Sequence, residues 1–234
     1  VIMVVDNYAR VLSKFANVIV FVPRYTGKDY DDSVFPYKVV RCHSLKVPFL
    51  DYSLPIPKLD RMFEKELDKY KLDIVHIHSP FTMGEIGYKY AKKHHIPCIA
   101  TMHSQFKQDF EKAVKSEFLA EKLNNKLIKL FNKCDECWAV NKEVARIYHE
   151  EYNYKCMPRV MNNATEMLPV SDVKKAHDFI NKRYNIKKDE KVFLFVGRIN
   201  TLKNILFIAD ALKAVKEKAP KLKFKMLYVG AGQD

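Results

Sequence analysis

The sequence has no apolar run near the ~18 residues that a membrane-spanning helix needs. Its longest runs, Val18–Val22 among them, have the length of a strand. There is no basic leader ahead of an apolar segment, and the opening Val1-Ile2-Met3-Val4-Val5-Asp6 starts without an initiating Met. That excludes a signal-peptide reading and predicts that the chain begins inside a longer protein. The spacing G-x-G-x-x-G occurs nowhere, which counts against NAD or FAD. Cysteine is sparse and odd in number: Cys42, Cys98, Cys134, Cys137 and Cys156 sit mostly in apolar contexts, as in a reduced, cytoplasmic protein. Cys134-x2-Cys137 has metal spacing, but no second C-x2-C and no H-x3-5-H completes a zinc site, so these read as structural thiols. No clustered aromatic-basic platform is present, so nucleic acid is not an expected partner. Asn163-Ala164-Thr165 fits the glycosylation pattern, and with no secretory leader it reads as chance.

Acidic residues are also in deficit. Lys and Arg number 41 against 28 Asp and Glu, a formal charge of +13 over 234 residues. The excess is uneven: residues 171–234 hold 15 basic and 7 acidic residues, a net +8. Such a bias suits an anionic partner, whether an anionic membrane or a phosphorylated small molecule, or else a plainly solvated basic surface. Hydrophobic residues make up 48% and aromatics 12%, enough for a sizeable core and against disorder.

Strand-length apolar runs alternate with amphipathic stretches of helical length. Val5, Tyr8, Ala9, Leu12 and Phe15 predict a helix, followed by a buried strand over Asn17–Val22 that Pro23 ends. Pro57 to Tyr70 puts Leu59, Met62, Phe63, Leu67 and Tyr70 on one helical face. Strands are expected over Asp73–His78, Ile96–Met102 and Glu136–Val140, with a short one near Arg159–Met161. Helices are expected over Met83–His94, over one long stretch Phe106–Lys133, and from Asn141 as N-cap to about Tyr152. This alternation is the pattern of a parallel sheet covered on both faces. Residues 163–190 are more polar and hold one helix, Ser171–Tyr184, with Ser171 as its cap. Alternation then restarts with Val192–Val196, a helix from about Lys203 to Lys218, Pro220 as a stop, and Phe224–Val229. The expected organisation is a first domain over 1–162, an interdomain region over 163–190, and the opening of a second domain over 191–234. A single β-α-β unit cannot cover both faces of a sheet and is not expected to be stable alone.

The candidate chemistry gathers at strand ends. Val196-Gly197-Arg198 closes a strand, and Lys203 stands at the mouth of the next helix. Open α/β sheets bind ligands outside the carboxyl ends of their strands. A helix N-terminus there offers unpaired N–H groups, Gly197 permits close backbone approach, and Arg198 and Lys203 add two cations. A diphosphate fits this cradle; a pair of surface cations is the alternative. Gly230 and Gly232 end the next strand and are candidates for the neighbouring wall of the same cleft. His76 and His78 share one face, where a metal is conceivable, although no Glu-bearing helix motif accompanies them. His103 sits where its strand leaves the sheet and can point into a cleft, or can be structural.

Asp73–Pro80, Ile96–His103, Lys191–Lys203 and Phe224–Asp234, together with Asn7-Tyr8-Ala9-Arg10-x-Leu12 and Val20–Pro23, resemble the family 4 retaining glycosyltransferases. The resemblance covers essentially the whole chain in the right order. It implies an α/β fold of GT-B type, in which two Rossmann-like domains face each other across a cleft. Here that means a Rossmann-like N-terminal, acceptor-side domain with a parallel sheet, lacking its first strand. The first β-α-β unit of a second Rossmann-like domain, the nucleotide-sugar-binding one, follows. The implied activity is transfer of a sugar, with retention, from a nucleotide-diphosphate-sugar donor to a glycan or lipid acceptor, without an obligatory metal or other cofactor. His103 is implied to be catalytic, contacting the donor sugar or phosphates. Gly197, Arg198 and Lys203 are implied to hold the donor diphosphate. The family's Pro-Asn-Gly near the domain junction is matched only at Asn163, in Asn162-Asn163-Ala164, and its acidic E-x7-E motif, which follows the position of Gly232, is absent there. The chain is therefore expected to be an inactive piece of a cytoplasmic enzyme. The alternative from another class is a non-catalytic GT-B-like module that binds an anionic partner. Several relatives act on lipids through a region like 106–133. Its stripe of Phe106, Phe110, Val114, Leu123, Leu127, Leu130 and Phe131 is flanked by lysines, Lys112 among them. Either it rests peripherally on an anionic membrane or it packs on the sheet with its lysines in water.

Overall fold

A computed structural model describes residues 1–25, 27–46, 53–164, 169–200 and 203–232, apart from the side chain of Lys112. The chain divides into two compact units, Val1–Glu166 and Met167–Asp234. Thr165 of the glycosylation-like triplet lies outside the described residues.

The first unit opens with α1 (Ile2–Leu12), which buries Ala9, while Phe15, expected on the same face, is exposed beyond its end. The strand β1 (Ile19–Pro23) pairs in parallel with β2 (Lys38–Cys42). All five residues of β1 are half-buried, so the fully buried strand expected there is a covered but not sealed one. An antiparallel pair, β3 (Ser44–Lys46) and β4 (Ser53–Pro55), follows. The helix expected over Pro57–Tyr70 is instead a 3-10 turn, Pro57–Leu59, and α2 (Arg61–Leu67). Asp60 interrupts it and caps α2 by accepting from the Phe63 N–H at 3.0 Å. The break rotates Leu59 and Met62 into solvent and leaves Phe63 and Leu67 buried.

A four-stranded parallel sheet carries the larger core. Its order is β5 (Val75–Ile77), β6 (Cys98–Met102), β7 (Glu136–Ala139), β8 (Arg159–Val160). α3 (Thr82–His94) links β5 to β6. Four of the five residues of β6 are buried, as a strand covered on both faces requires. The long helix expected over Phe106–Lys133 is two, α4 (Phe106–Val114) and α5 (Glu117–Phe131). Lys115 between them is left-handed (φ 50°), and Ser116 starts the second helix by accepting from the Leu119 N–H. From the stripe, Leu127, Leu130 and Phe131 are buried, and Phe106 and Phe110 pack on the same core. α6 (Lys142–Arg146) is capped by Asn141, whose Oδ1 accepts from Val144 N–H at 2.8 Å, and runs on as a π-helical turn to Glu151. The core over β5–β7 includes Met102, Leu127, Phe131 and Tyr148, with Cys98, Cys134 and Cys137 as free thiols among them. Burial raises the Cys42 thiol to about 11, and Cys137 is pushed up by its hydrogen bond with Cys134 and then by burial, as befits inert structural thiols.

In the second unit, α7 (Val173–Arg183) is capped by Asp172, which accepts from Lys175 N–H at 2.8 Å, so the cap lies one residue beyond the expected Ser171. β9 (Lys191–Val196) pairs in parallel with β10 (Phe224–Val229), and α8 (Ile205–Lys218) connects them, beginning two residues after Lys203. No residue of these four elements is buried.

Candidate functional site

β5 and β6 pair in register, Ile77 against Ala100, so each strand delivers its next residues to the same sheet end. The alternation that sends Ile77 into the core turns His76 and His78 to the other face. There His78 Nδ1 lies 2.9 Å from His103 Nε2, and the two rings stack with centroids 5.2 Å apart. The His76 ring is 4.0 Å from that of His78, and its Nε2 lies 2.7 Å from Thr101 Oγ1. Trp138 of β7 meets His76 edge-on at 4.9 Å. Tyr8 of α1 covers both His76 and His78, at 6.2 and 5.8 Å. The turns that carry these histidines are pinned. Tyr148 OH donates to the Ser104 carbonyl at 2.8 Å, fixing the residue after His103. A Cβ on Gly84 would overlap the Ser79 carbonyl oxygen, so only glycine lets α3 close on the turn after His78.

Three imidazoles in partly desolvated surroundings cannot readily carry charge. Burial lowers His103 to about 4. It lowers His76 to about 4 as well, with the neighbouring His103 adding to the effect. His78 falls to about 2, through burial and then through its two histidine neighbours. At neutral pH the group is therefore uncharged. One ring nitrogen of His103 is committed to His78, and among the described residues Nδ1 has no hydrogen-bond partner. A neutral imidazole held in this way can donate to or accept from a ligand without becoming a cation. No cluster of three or more metal-ligating side chains occurs among the described residues.

The other sequence-derived candidates lie elsewhere. In the second unit, the ladder runs beyond β9 and β10: Gly197 N–H donates to the Val229 carbonyl and Ile199 N–H to that of Ala231, both at 3.0 Å. A Cβ on Gly230 would overlap the Gly197 carbonyl oxygen, and one on Gly232 that of Ile199. These glycines thus let two chain segments run in contact past the strand ends. Arg198 and Lys203 are exposed, and neither forms an ion pair among the described residues. Between them, Asn200 Oδ1 is buried without a hydrogen-bond partner among the described residues. α8 starts from Asn204 in a left-handed conformation (φ 51°) with no side-chain cap, which leaves its first N–H groups for another acceptor. Asn163 is exposed in the first unit, next to Ala164, whose carbonyl accepts from Asn7 Nδ2 at 3.2 Å. Sequence reasoning reached His103 but missed His78 as its partner, and with it Tyr8, Thr101, Trp138 and Tyr148. The H-x-H alternation was a visible signal. The adjacency of β5 and β6, which joins it to His103, was not.

The sequence profile of Glycosyltransferase Family 4 matches residues 2–166, and the chain belongs to that family. It is similar to an alpha-monoglucosyldiacylglycerol synthase of Acholeplasma laidlawii, 27% identical over 188 residues that cover 74% of this chain and 45% of that protein. It is also similar to the UDP-Gal:alpha-D-GlcNAc-diphosphoundecaprenol alpha-1,3-galactosyltransferase of Escherichia coli, 30% identical over 160 residues covering 65% of this chain and 39% of the relative. Among solved structures, Anabaena HepE in complex with UDP and glucose matches with a TM-score of 0.56 at 10% identity, covering 85% of this chain and 49% of that one. This likeness shows the fold, the α/β fold of GT-B type. The chain spans about half the length of the proteins it matches.

Proposed function

We propose that the protein is a retaining glycosyltransferase that moves a sugar from a nucleotide-diphosphate-sugar donor to a glycan or lipid acceptor. The observation that carries this reading is the neutral His103, locked by His78 at the end of a parallel strand in a family 4 chain. In the proposal His103 hydrogen-bonds the donor sugar or its phosphates. Arg198 and Lys203 hold the diphosphate with the Gly197 backbone, and Gly230, Gly232 and Asn163 shape the surrounding wall. As the bond from the anomeric carbon to the diphosphate breaks, negative charge grows on the leaving nucleoside diphosphate. A guanidinium, an ammonium and free helix N–H groups stabilise that charge, so the reaction needs no metal. The names of the two relatives, a glucosyldiacylglycerol synthase and a transferase acting from UDP-Gal on a lipid-linked sugar, favour a lipid-borne acceptor.

The protein would work on the cytoplasmic side, touching the membrane peripherally through residues 106–133. No helix among the described residues is long and apolar enough to cross a membrane. The support for surface contact is the flank of α5 left over from the core: Phe118, 74% exposed, and Leu119 beside the exposed Lys115 and Lys122.

A thermal-shift panel on the full-length protein with UDP, GDP, ADP and their sugars tests the donor assignment. One nucleotide series should stabilise the protein, by about 2.7 kcal/mol at a hundredfold excess over Kd, and the effect should vanish in Arg198→Ala. His103→Ala should slow sugar transfer by roughly 10²–10³-fold, the cost of one preorganised hydrogen-bonding group, and chelation by EDTA should leave the wild-type rate unchanged. Absence of any nucleotide shift would favour the non-catalytic anion-binding module instead.

A further inference from the structure

β1 and β2 run parallel from Ile19 opposite Lys38 to Pro23 opposite Cys42, so Arg24 and His43 are the first residues past their carboxyl ends. Described residues past these ends line an open pocket of about 490 Å³, at the kind of position where open α/β sheets hold ligands. Arg24, Lys28, Asp29, His43 and Ser44 are among its lining residues. Two fixed cations therefore meet one carboxylate, and the other acids nearby are already engaged. Asp32 takes a forked contact from Arg41, with Nε to Oδ2 at 2.8 Å, and Asp31 accepts from the Ser33 N–H at 3.1 Å. Arg41 is further held by stacking on Tyr30 at 3.6 Å, and the Tyr30 hydroxyl accepts from the Tyr25 N–H at 3.1 Å. Neither Arg24 nor Lys28 forms an ion pair among the described residues.

His43 is braced from behind. Asp60 Oδ2 lies 2.7 Å from its Nδ1 and accepts from its N–H at 2.8 Å. The Asp60 side chain is 3% exposed, against 68% for that of His43. Burial alone would raise the Asp60 carboxyl, but the hydrogen bonds from His43 N–H and Phe63 N–H, and then from the imidazole, outweigh it and hold the group below its ordinary value. A carboxylate behind Nδ1 orients the ring and leaves Nε2 for a ligand. Beside it, Ser44 Oγ is buried with no hydrogen-bond partner among the described residues.

We propose that this pocket is an anion-binding subsite that takes a phosphate group, held by Arg24, Lys28 and the Asp60-braced His43. The phosphate can come from a soluble phosphate ester or from a lipid headgroup. The site is built from residues that the transferase reading does not use, so it stands or falls independently of that reading.

The test titrates the isotopically labelled chain with glycerol 3-phosphate at constant ionic strength and follows backbone and imidazole resonances. Saturable shifts should centre on residues 24–29 and 43–44. The double variant Arg24→Gln/Lys28→Gln, which touches only exposed side chains, should bind at least about tenfold more weakly, the effect of losing charge-assisted hydrogen bonds. A control with the same loss of charge on the same unit, Lys65→Gln/Lys92→Gln, should bind as wild type. A parallel co-sedimentation with phosphatidylglycerol and with phosphatidylcholine vesicles identifies the source. Preferential binding to phosphatidylglycerol that weakens in Arg24→Gln/Lys28→Gln assigns the headgroup. Vesicle binding that is equal in the two proteins, with the soluble ester still bound at the pocket, assigns a soluble phosphate. Shifts that do not saturate, or a control variant that weakens as much as the double variant, would overturn the site.

Discussion

His103 illustrates how far a single residue can be read. Its place at the end of an apolar strand is written in Ile96–His103, and the family resemblance adds a role for it. Its protonation state is not written there, because it depends on the burial that folding imposes on the ring, with His78 stacked against it. The consequence for stability has a definite sign. The native His76 and His103 sit near 4, below the ordinary value of 6.5. Above pH 6.5 neither state binds the proton, and the histidines are neutral to stability. Between 6.5 and about 4 the unfolded chain takes up protons that the native state refuses, so stability must fall as pH drops through that window. The ceiling is ~1.4 kcal/mol per pH unit for each imidazole, reduced for His103 by its partial exposure. Urea midpoints measured from pH 7.5 to 4.5 should decline along this course, and the decline should be shallower in His76→Asn. A midpoint independent of pH over this range would mean that the histidines are protonated in the folded protein. The same neutrality predicts that His103 contributes no limb to the pH–rate profile between pH 5 and 8.

At the scale of the element, periodicity located nearly every helix and the strands β1, β5, β6 and β7, and failed where a local conformation overrode it. Phe106–Lys133 has a continuous apolar stripe, so nothing in its period announces two helices. The break is set at Lys115 and Ser116, a left-handed residue followed by a hydroxyl cap. In hindsight the signal was Ser116-Glu117, a cap residue followed by an acid in the first turn. Lys38–Cys42 was missed for another reason: a five-residue run with charges at positions one and four looks like a loop until β1 pairs with it. The three-residue strands β3 and β4 carry too few residues for any period at all. If the break is a built-in joint, its two residues should respond in opposite directions. Lys115→Gly removes a left-handed side chain and should stabilise the first unit by up to about 1 kcal/mol, net of the extra chain entropy of glycine. Ser116→Ala removes the cap and should cost about 1 kcal/mol. Both are readable as shifts of the urea midpoint at unchanged slope. Destabilisation by Lys115→Gly would show that the lysine side chain itself holds the joint.

At the scale of the whole molecule, the two units differ in what holds them. The first has two buried clusters, one over β5–β7 and one joining β2, α2 and α3. The second has a two-stranded parallel sheet, two helices and no buried residue in any of them. Phe193, Leu194, Val196, Leu206 and Phe207 are all exposed. The sequence could say that one β-α-β unit covers too little, because that follows from counting elements. Hydrogen exchange on this chain should therefore separate the units by on the order of 100-fold or more, with β9 and β10 amides exchanging far faster than those of β6 and α5. The net charge of +8 over residues 171–234 sharpens the expectation, because mutual repulsion opposes closure of an already thin unit. It also makes the exchange responsive to ligand. A nucleoside diphosphate bound at Arg198, Lys203 and the uncapped start of α8 would neutralise part of that charge and couple its binding energy to the folding of the unit. Protection at the start of α8 and at the ends of β9 and β10 should then rise with nucleotide concentration and saturate, while β6 stays unchanged. Equal protection of both units without nucleotide would mean that the exposed apolar side chains of the second are covered in solution.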